Sequence, residues 1–348
     1  MKKSTMLLLW AGAAISISEI VTGGLLAPLG FAKAALAIVL GHLAGTGLLA
    51  LGGIVSFSRR KNAMETVAAT FGPWGGKAVA LCNVVQLIGW TIVMIVQGSR
   101  SVALLFPALP FPLLAGILAL LVLAWALILG SPAQRLNDVV VLLLALLCAA
   151  LFVEARLKMG GGQALAIPVT GGMGFLLALE LSMAMPISWL PLVGDYACQA
   201  DNKISAGAMP FAGYFVTSTL MYLFGLYINV NGGGDIFAFI AASSFRLIAG
   251  LVVILSTVTT AFLDLYSAAK SARVIVPVKN DRLSILIIGL FAVAASVAFP
   301  VERYEAFLET FLLAIGRVFL PVYGVVFAHY FYKKLTVLRD GNKNKECL

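Results

Sequence analysis

The stretch AAISISEIVTGGLLAPLGF, residues 13–31, sets one carboxylate, Glu19, in the middle of an otherwise apolar run. Gly23 and Gly24 follow closely, and Pro28 soon after. A run of this length suits a helix crossing about 30 Å of hydrocarbon. The glycine pair weakens such a helix, and the proline removes a backbone donor and clashes with the preceding turn. The pattern predicts an interrupted membrane helix with an acid beside the interruption. Irregular backbone at membrane depth persists only where protein covers it or where it lines a wet cavity. A charged side chain at the bilayer centre costs roughly 2.5–3.5 kcal/mol. Glu19, near mid-membrane, must therefore be protonated, paired or facing water.

The rest of the chain fits that reading. It is 61% hydrophobic and 11% charged, with a mean hydropathy of +1.02. A soluble domain carries roughly 25% charged residues. Ten apolar spans are expected, at about 7–31, 33–57, 77–106, 111–130, 136–156, 173–198, 208–230, 246–270, 283–300 and 306–331. Placing the N-terminus in the cytoplasm puts 17 of the 24 Lys and Arg on the inner side, the bias of a multispanning protein. The net charge of +9 thus orients the chain and does not point to nucleic acid. The expected location is the cell (inner) membrane, with both termini cytoplasmic. The first run begins after Lys2 and Lys3, and its length marks a retained span and not a cleaved leader. Cys82, Cys148, Cys198 and Cys347 form no CxxC or Cys/His cluster, so no disulfide framework or zinc site is suggested.

The organisation is one transmembrane domain over 1–331 and a basic cytoplasmic tail over 332–348. The first span ends GGLLAPLGF, and the sixth holds ISWLPLVGD with Pro186 and Pro191. Aligning Pro28 with Pro191 gives an offset of 163 residues, and the same shift carries the third span onto the eighth. Five spans separate the halves, so the second half enters the membrane from the opposite side. Two five-helix halves of opposite topology with interrupted first members (about 7–156 and 173–331) are the pattern of an inverted-repeat transporter. Glu180, between the outer surface and the centre of the sixth span, is a second intramembrane acid. Asp195 and Asp264 lie near cytoplasmic helix ends, where capping or gating is expected.

In the third span Gln86, Trp90 and Met94 are spaced i, i+4, i+8 and share one helical face. A mid-membrane tryptophan with an amide one turn away suits a planar heterocycle, which needs a stacking surface and a few directed hydrogen bonds. Trp189, between the prolines of the sixth span, could form the opposite wall. Asn83 reads as a helix-to-helix hydrogen bond. In the eighth span the hydroxyls of Ser256, Thr259 and Thr260 converge at i, i+3, i+4. Hydroxyl and carbonyl oxygens are hard ligands that suit a small cation, although such hydroxyls also back-bond within their own helix.

The segments LWAGAAISISEIVTGGLLAPLGF, QLIGWTIVMI, AMPISWLPLVGDY and STVTTAFLDLYSA together resemble the nucleobase:cation symporter-1 family (purine/cytosine permease-like). Within it they look most like the short hydroxymethylpyrimidine branch, the CytX type. The resemblance covers all ten spans. It implies an all-α LeuT-like fold with substrate held between spans one, three, six and eight, and coupling to Na+ or H+. It carries substrate stacking to Trp90, and a sodium site to Ser256, Thr259 and Thr260 with carbonyls from Ala14 and Ile17. Met94 stands where relatives carry glutamine, and FLDLYS replaces an asparagine-rich segment. Glu19 and Glu180 are not general features of the family. These departures point away from cytosine or hydantoin and toward a different ring.

The function expected is a symporter importing a small pyrimidine-type heterocycle, the thiamine precursor hydroxymethylpyrimidine, by alternating access. The alternative is a nucleobase (cytosine or purine) or amino-acid carrier of the same fold. Beyond a coupling ion no cofactor or metal is implied, and one chain supplies a complete pathway, so a monomer is expected. An enzyme is disfavoured, because His42 and His329 accompany no acid or cysteine cluster in sequence. No P-loop appears, which argues against ATP-driven transport by this chain alone.

Overall fold

The computed structural model describes residues 1–128, 133–159, 172–232, 236–276 and 280–346, and all their regular elements are helical. Lys279 and Cys347 lie outside these residues. The helices of the first half are α1 (Lys3–Ala13), α2 (Ile17–Leu25), α3 (Phe31–Arg59), α4 (Ala63–Leu105), α5 (Phe111–Ile128) and α6 (Ala133–Met159). Those of the second half are α7 (Phe175–Ile187), α8 (Leu190–Ala197), α9 (Met209–Val230), the short α10 (Ile236–Ala241), α11 (Arg246–Ile275), α12 (Asp281–Val297) and α13 (Tyr304–Glu346). Taking α7 and α8 together, seven stretches are long and apolar enough to cross a membrane, and the bent α1–α2 pair is an eighth. The shorter α5 and α12 complete ten spans among the described residues.

The packing partners reveal the symmetry of the halves. The first span (α1, α2) packs on the seventh (α9), and the sixth (α7) packs on the second (α3). Exchanging the halves turns one pair into the other. The third span packs on the eighth (α4 on α11) and the fourth on the ninth (α5 on α12), each pair mapping onto itself. The fold is a 5+5 inverted repeat.

The first interruption does not lie where the glycine pair and Pro28 suggest. α1 and α2 meet at 54° across Ala14, Ile15 and Ser16, ahead of Glu19. Ser16 caps α2 by accepting a hydrogen bond from the Glu19 amide at 3.3 Å, which stabilises a helix start within the membrane. Gly23 and Gly24 are helical, and they are small because α9 lies against them. A Cβ on Gly23 would sit 2.1 Å from the Tyr222 carbonyl oxygen, and one on the facing Gly225 would sit 1.8 Å from that of Ile20. Close backbone approach through glycine is a common way to pack membrane helices. Pro28 belongs to the 3₁₀ turn Ala27–Leu29 that ends the span.

The second interruption, at Ser188 and Trp189, is milder. Both residues keep right-handed helical dihedrals, and the Ser188 amide still reaches the Ala184 carbonyl at 2.9 Å. Pro191 opens α8 in its first turn, where a missing N–H costs nothing. Ile15 and Ser188 are 173 residues apart, so the offset of 163 drawn from the prolines is a misregister. One proline ends a half-helix and the other begins one.

Two polar segments are more ordered than their composition suggests. Asn62 and Glu65 form a reciprocal capping box that starts α4 ahead of the span expected at 77–106, and Gly72, with φ +73°, turns the chain into Pro73. At the other end α13 continues through Glu346, so the basic tail extends the last span as helix.

Candidate functional site

The two interruptions and α4 enclose a cavity of about 400 Å³, counting the space at its mouth. Its wall contains Ser16, Ser18 and Glu19 from the first span, and Met185, Ser188 and Trp189 from the sixth. Leu87, Trp90 and Met94 of α4 and Asp264 of α11 complete most of it. Trp90, Met94, Trp189 and Glu19 thus meet where the sequence suggested a heterocycle would sit.

Glu19 is 1% exposed, and both its oxygens are engaged. Tyr214 donates its hydroxyl to Oε1 at 2.7 Å, and Ser218 lies 2.6 Å from Oε2. The Trp189 indole donates to the Tyr214 oxygen at 3.1 Å, so one pocket tryptophan is positioned by the phenol that holds the acid. Trp10 meets Trp189 edge-on at 5.8 Å and braces it from behind. Trp90 rests edge-on against Phe311 at 5.4 Å.

Asp264 caps no helix. It is 3% exposed in the middle of α11, lines the cavity, and its Oδ2 has no hydrogen-bond partner within the protein. Eighteen residues of α11 precede it, so it is far from the N-terminus that an acid would cap. Asp195 does sit at a helix start, accepting from the Ala63 amide at 3.2 Å at the first turn of α4.

Glu180 is not in the cavity wall. It faces outward from α7 and makes a two-point ion pair with Arg317 of α13, at 2.8 and 3.3 Å. An acid and a base on adjacent helices neutralise one another there, which removes the need for a wet cavity. Gln86 is also absent from the wall. Its amide donates to the Asn83 side chain at 2.8 Å and to the Ser188 carbonyl at 3.0 Å, so it holds the sixth-span interruption onto α4. Asn83 in turn bonds Ser271 of α11 at 2.8 Å.

Ser256, Thr259 and Thr260 are likewise absent from the wall. The Thr259 hydroxyl donates to the Leu255 and Ser256 carbonyls of its own helix, at 2.9 and 3.3 Å. Among the described residues no hydrogen bond joins the three to Ala14 or Ile17, which flank the first interruption. α11 packs on α4, α5, α6 and α12.

Several residues of the site escaped the sequence reading. Gln97, seven residues beyond Trp90 and so on the same face, accepts from Ser18 at 2.8 Å and from Tyr304 at 3.0 Å. It ties α2, α4 and α13 together beyond the cavity. Tyr214 and Ser218 are polar residues at i, i+4 in an apolar span, a signal available from spacing. The Ser16-x-x-Glu19 pattern is a helix-start signature that places the break correctly.

A family model described as permease for cytosine/purines, uracil, thiamine, allantoin matches residues 2–337. No curated protein sequence matches the chain. Among solved structures, the chain resembles the inward-facing conformation of Mhp1, with a TM-score of 0.82 at 16% identity, covering 95% of this chain and 77% of that one. It also resembles Mhp1, a nucleobase-cation-symport-1 family transporter, in a closed conformation with bromovinylhydantoin bound. There the TM-score is 0.77 at 15% identity, with 95% and 78% coverage. A manganese transporter of Eremococcus coleocola gives 0.58 at 13% identity, covering 92% and 78%. These likenesses establish the LeuT-like fold with broken first and sixth spans. With the family match over nearly its whole length, the chain belongs to the permease family for cytosine/purines, uracil, thiamine and allantoin, and is a membrane transporter and not an enzyme.

Proposed function

We propose that this permease imports a small aminopyrimidine, hydroxymethylpyrimidine, together with a cation by alternating access. It would act as a monomer in the cell (inner) membrane, with both termini in the cytoplasm. The observation that carries the reading is the chemistry of the cavity wall. Two buried carboxyl side chains, Glu19 and Asp264, share it with two tryptophans, and among the described residues the wall has no Lys, Arg or His.

Such a wall offers hydrogen-bond acceptors and flat apolar faces. Trp90 and Trp189 stack on the ring, and the free Asp264 oxygen accepts from an exocyclic amino group or a hydroxyl. Amino-substituted pyrimidines carry both a flat face and an N–H edge. An amino acid could set its ammonium against these acids, but its carboxylate would meet no base in the wall and its backbone would make little use of two flat tryptophan faces. Cytosine shares the amino edge and is the closer rival. The breaks at Ala14–Ser16 and Ser188–Trp189 are where half-helices can re-angle as access alternates.

Binding of radiolabelled hydroxymethylpyrimidine to the purified chain, competed by cytosine, hypoxanthine, allantoin and leucine, tests the proposal. Hydroxymethylpyrimidine should bind and be displaced by its unlabelled form at lower concentration than by any competitor. Displacement by leucine at equal or lower concentration would reject the reading, and a preference for cytosine would reassign the cargo.

A further inference from the structure

His42 lies in the middle of α3, fully buried, and the transport reading above makes no use of it. Its Nδ1 is 2.9 Å from the Ile38 carbonyl oxygen, and its Nε2 is 2.6 Å from the Ser218 hydroxyl. The same hydroxyl is 2.6 Å from Glu19 Oε2. The three residues form a chain from the cavity wall into the packed interior: Glu19, Ser218, His42, Ile38 carbonyl.

Counting hydrogens decides what this chain holds. It has three contacts, and each needs one hydrogen between its heavy atoms. The Ile38 carbonyl only accepts. Ser218 supplies one hydrogen and a neutral imidazole supplies one, which leaves one contact empty. With the imidazole hydrogen on Nδ1, Ser218 can serve either Glu19 or His42 but not both. With it on Nε2, the bare Nδ1 faces the carbonyl oxygen lone pair to lone pair. Either tautomer fails while Glu19 is ionised. One further proton satisfies every contact, carried by the Glu19 carboxyl with neutral His42, or by His42 as imidazolium beside the Glu19 carboxylate. In both forms the pair is electrically neutral, as burial among helices requires.

The surroundings do not supply a substitute charge. Tyr214 and Tyr222 face the chain from α9, the latter with its ring 4.5 Å from the imidazole, and Asp264 faces it from α11 across the cavity. Of the other ionisable groups on the packed helices, Glu180 pairs with Arg317, Asp195 accepts from the Ala63 amide, and Tyr304 donates to Gln97. Tyr323 of α13 is a neutral phenol. Among the described residues no Lys or Arg pairs with Glu19.

We infer from this count of hydrogens that Glu19, Ser218 and His42 together bind one exchangeable proton, taken up and released through Glu19 at the cavity wall. The inference goes beyond the transport reading and does not depend on which cargo is carried. When the proton leaves, it passes from Glu19 to water in the cavity. The Ser218–His42 contact is then short of a hydrogen, so α3 and α9 must separate slightly or readmit a proton. Loading thus bears on how the first, second and seventh spans pack together.

The test needs no substrate. The chain has two histidines, so a His329→Asn background leaves His42 as the single ¹⁵N-imidazole signal in the full-length protein. Its nitrogen shifts and the infrared band of a protonated carboxylic acid are followed together from mildly acidic to alkaline pH. They should change in one shared transition. Glu19→Gln preserves the chain, since the amide N–H donates where the carboxyl did. It should hold His42 in the Nδ1–H neutral form with no transition over that range. Ser218→Ala should separate the carboxyl and imidazole changes into two transitions. A His42 titration unaltered by Glu19→Gln overturns the proposal, as does a carboxyl band that ignores His42→Asn. A failed screen for heterocycles would sink the cargo and leave the proton site standing. Uncoupled titrations sink the site whatever the cargo.

Discussion

The Gln86 amide nitrogen donates to the Ser188 carbonyl at 3.0 Å, so the amide one turn from the pocket tryptophan holds the break in the opposite half. Both of its amide hydrogens are used, the other on Asn83, and its Oε1 is buried without a partner. A half-helix end with a free carbonyl is expensive inside a membrane. Gln86 offsets that cost while leaving Ser188 and Trp189 in the wall.

Gln86→Glu should therefore destabilise the protein more than Gln86→Leu. The carboxylate would face two acceptors, the Asn83 oxygen and the Ser188 carbonyl, where the amide offered two donors. Stranding buried polar groups costs roughly 1–3 kcal/mol each. Leucine strands the same carbonyl but also removes the orphaned Oε1. Thermal unfolding of the purified protein, ligand-free in detergent, gives the order directly. A Gln86→Glu melting temperature equal to wild type would show that the bond to Ser188 matters little.

The α2–α9 seam predicts which glycines tolerate a methyl group. Gly225→Ala and Gly23→Ala would drive a Cβ to 1.8 and 2.1 Å from backbone oxygens, which rigid helices cannot move aside. Gly47→Ala has nothing within 4 Å and replaces a helix-weakening residue. The first two should lose at least the roughly 1–3 kcal/mol typical of overpacking, and Gly47→Ala should be neutral or slightly stabilising. Folded yield and melting temperature across the three variants check this. Well-folded Gly225→Ala protein would mean that the seam is looser than described.

How far the sequence was legible depends on what each residue was competing to do. Apolar length and charge placement are local properties, so the spans could be read directly, whereas the register between the halves could not, because the two prolines matched a helix end with a helix start. Gly23 and Pro28 are ambiguous in one dimension, since a glycine pair can break a helix or admit a neighbouring backbone. Only the position of α9 decides. The acids divide in the same way. Glu19 and Asp264 reach the cavity while Glu180 meets Arg317, and that partner lies 137 residues away with no pattern linking the two. Trp90, Met94 and Trp189 were findable because a flat pocket needs large side chains at helical spacing. His42 and Ser218 were not, because their meaning comes from a contact between α3 and α9.

The Glu180–Arg317 pair sits outside the cavity, so Glu180→Gln should leave the affinity for hydroxymethylpyrimidine within about twofold, well under the 1.4 kcal/mol of a tenfold change. Stability should respond instead. Arg317 would be left facing outward from the bundle without its partner, and removing it as well in Glu180→Gln/Arg317→Gln should recover much of the lost melting temperature. Such recovery marks a coupled pair. A tenfold loss of affinity in the single variant would return Glu180 to the substrate site.

Asp264 makes the opposite prediction. Its Oδ2 has no partner in the protein, so the fold gives up no hydrogen bond when the acid is replaced. Asp264→Asn should melt at or above the wild-type temperature, because a buried group able to ionise becomes one that cannot. Binding should suffer, since a hydrogen bond contributes roughly 0.5–1.5 kcal/mol, equivalent to about a 2- to 12-fold loss of affinity for an amino-substituted ring. The choice of ring should shift as well. Asparagine offers a donor beside its acceptor, so a ring with a carbonyl at that edge gains where an amino ring loses. Cytosine and uracil competing against one labelled ligand give the ratio, which should move toward uracil in the variant. An equal fall for both would mean that Asp264 shapes the cavity without reading the edge of its occupant.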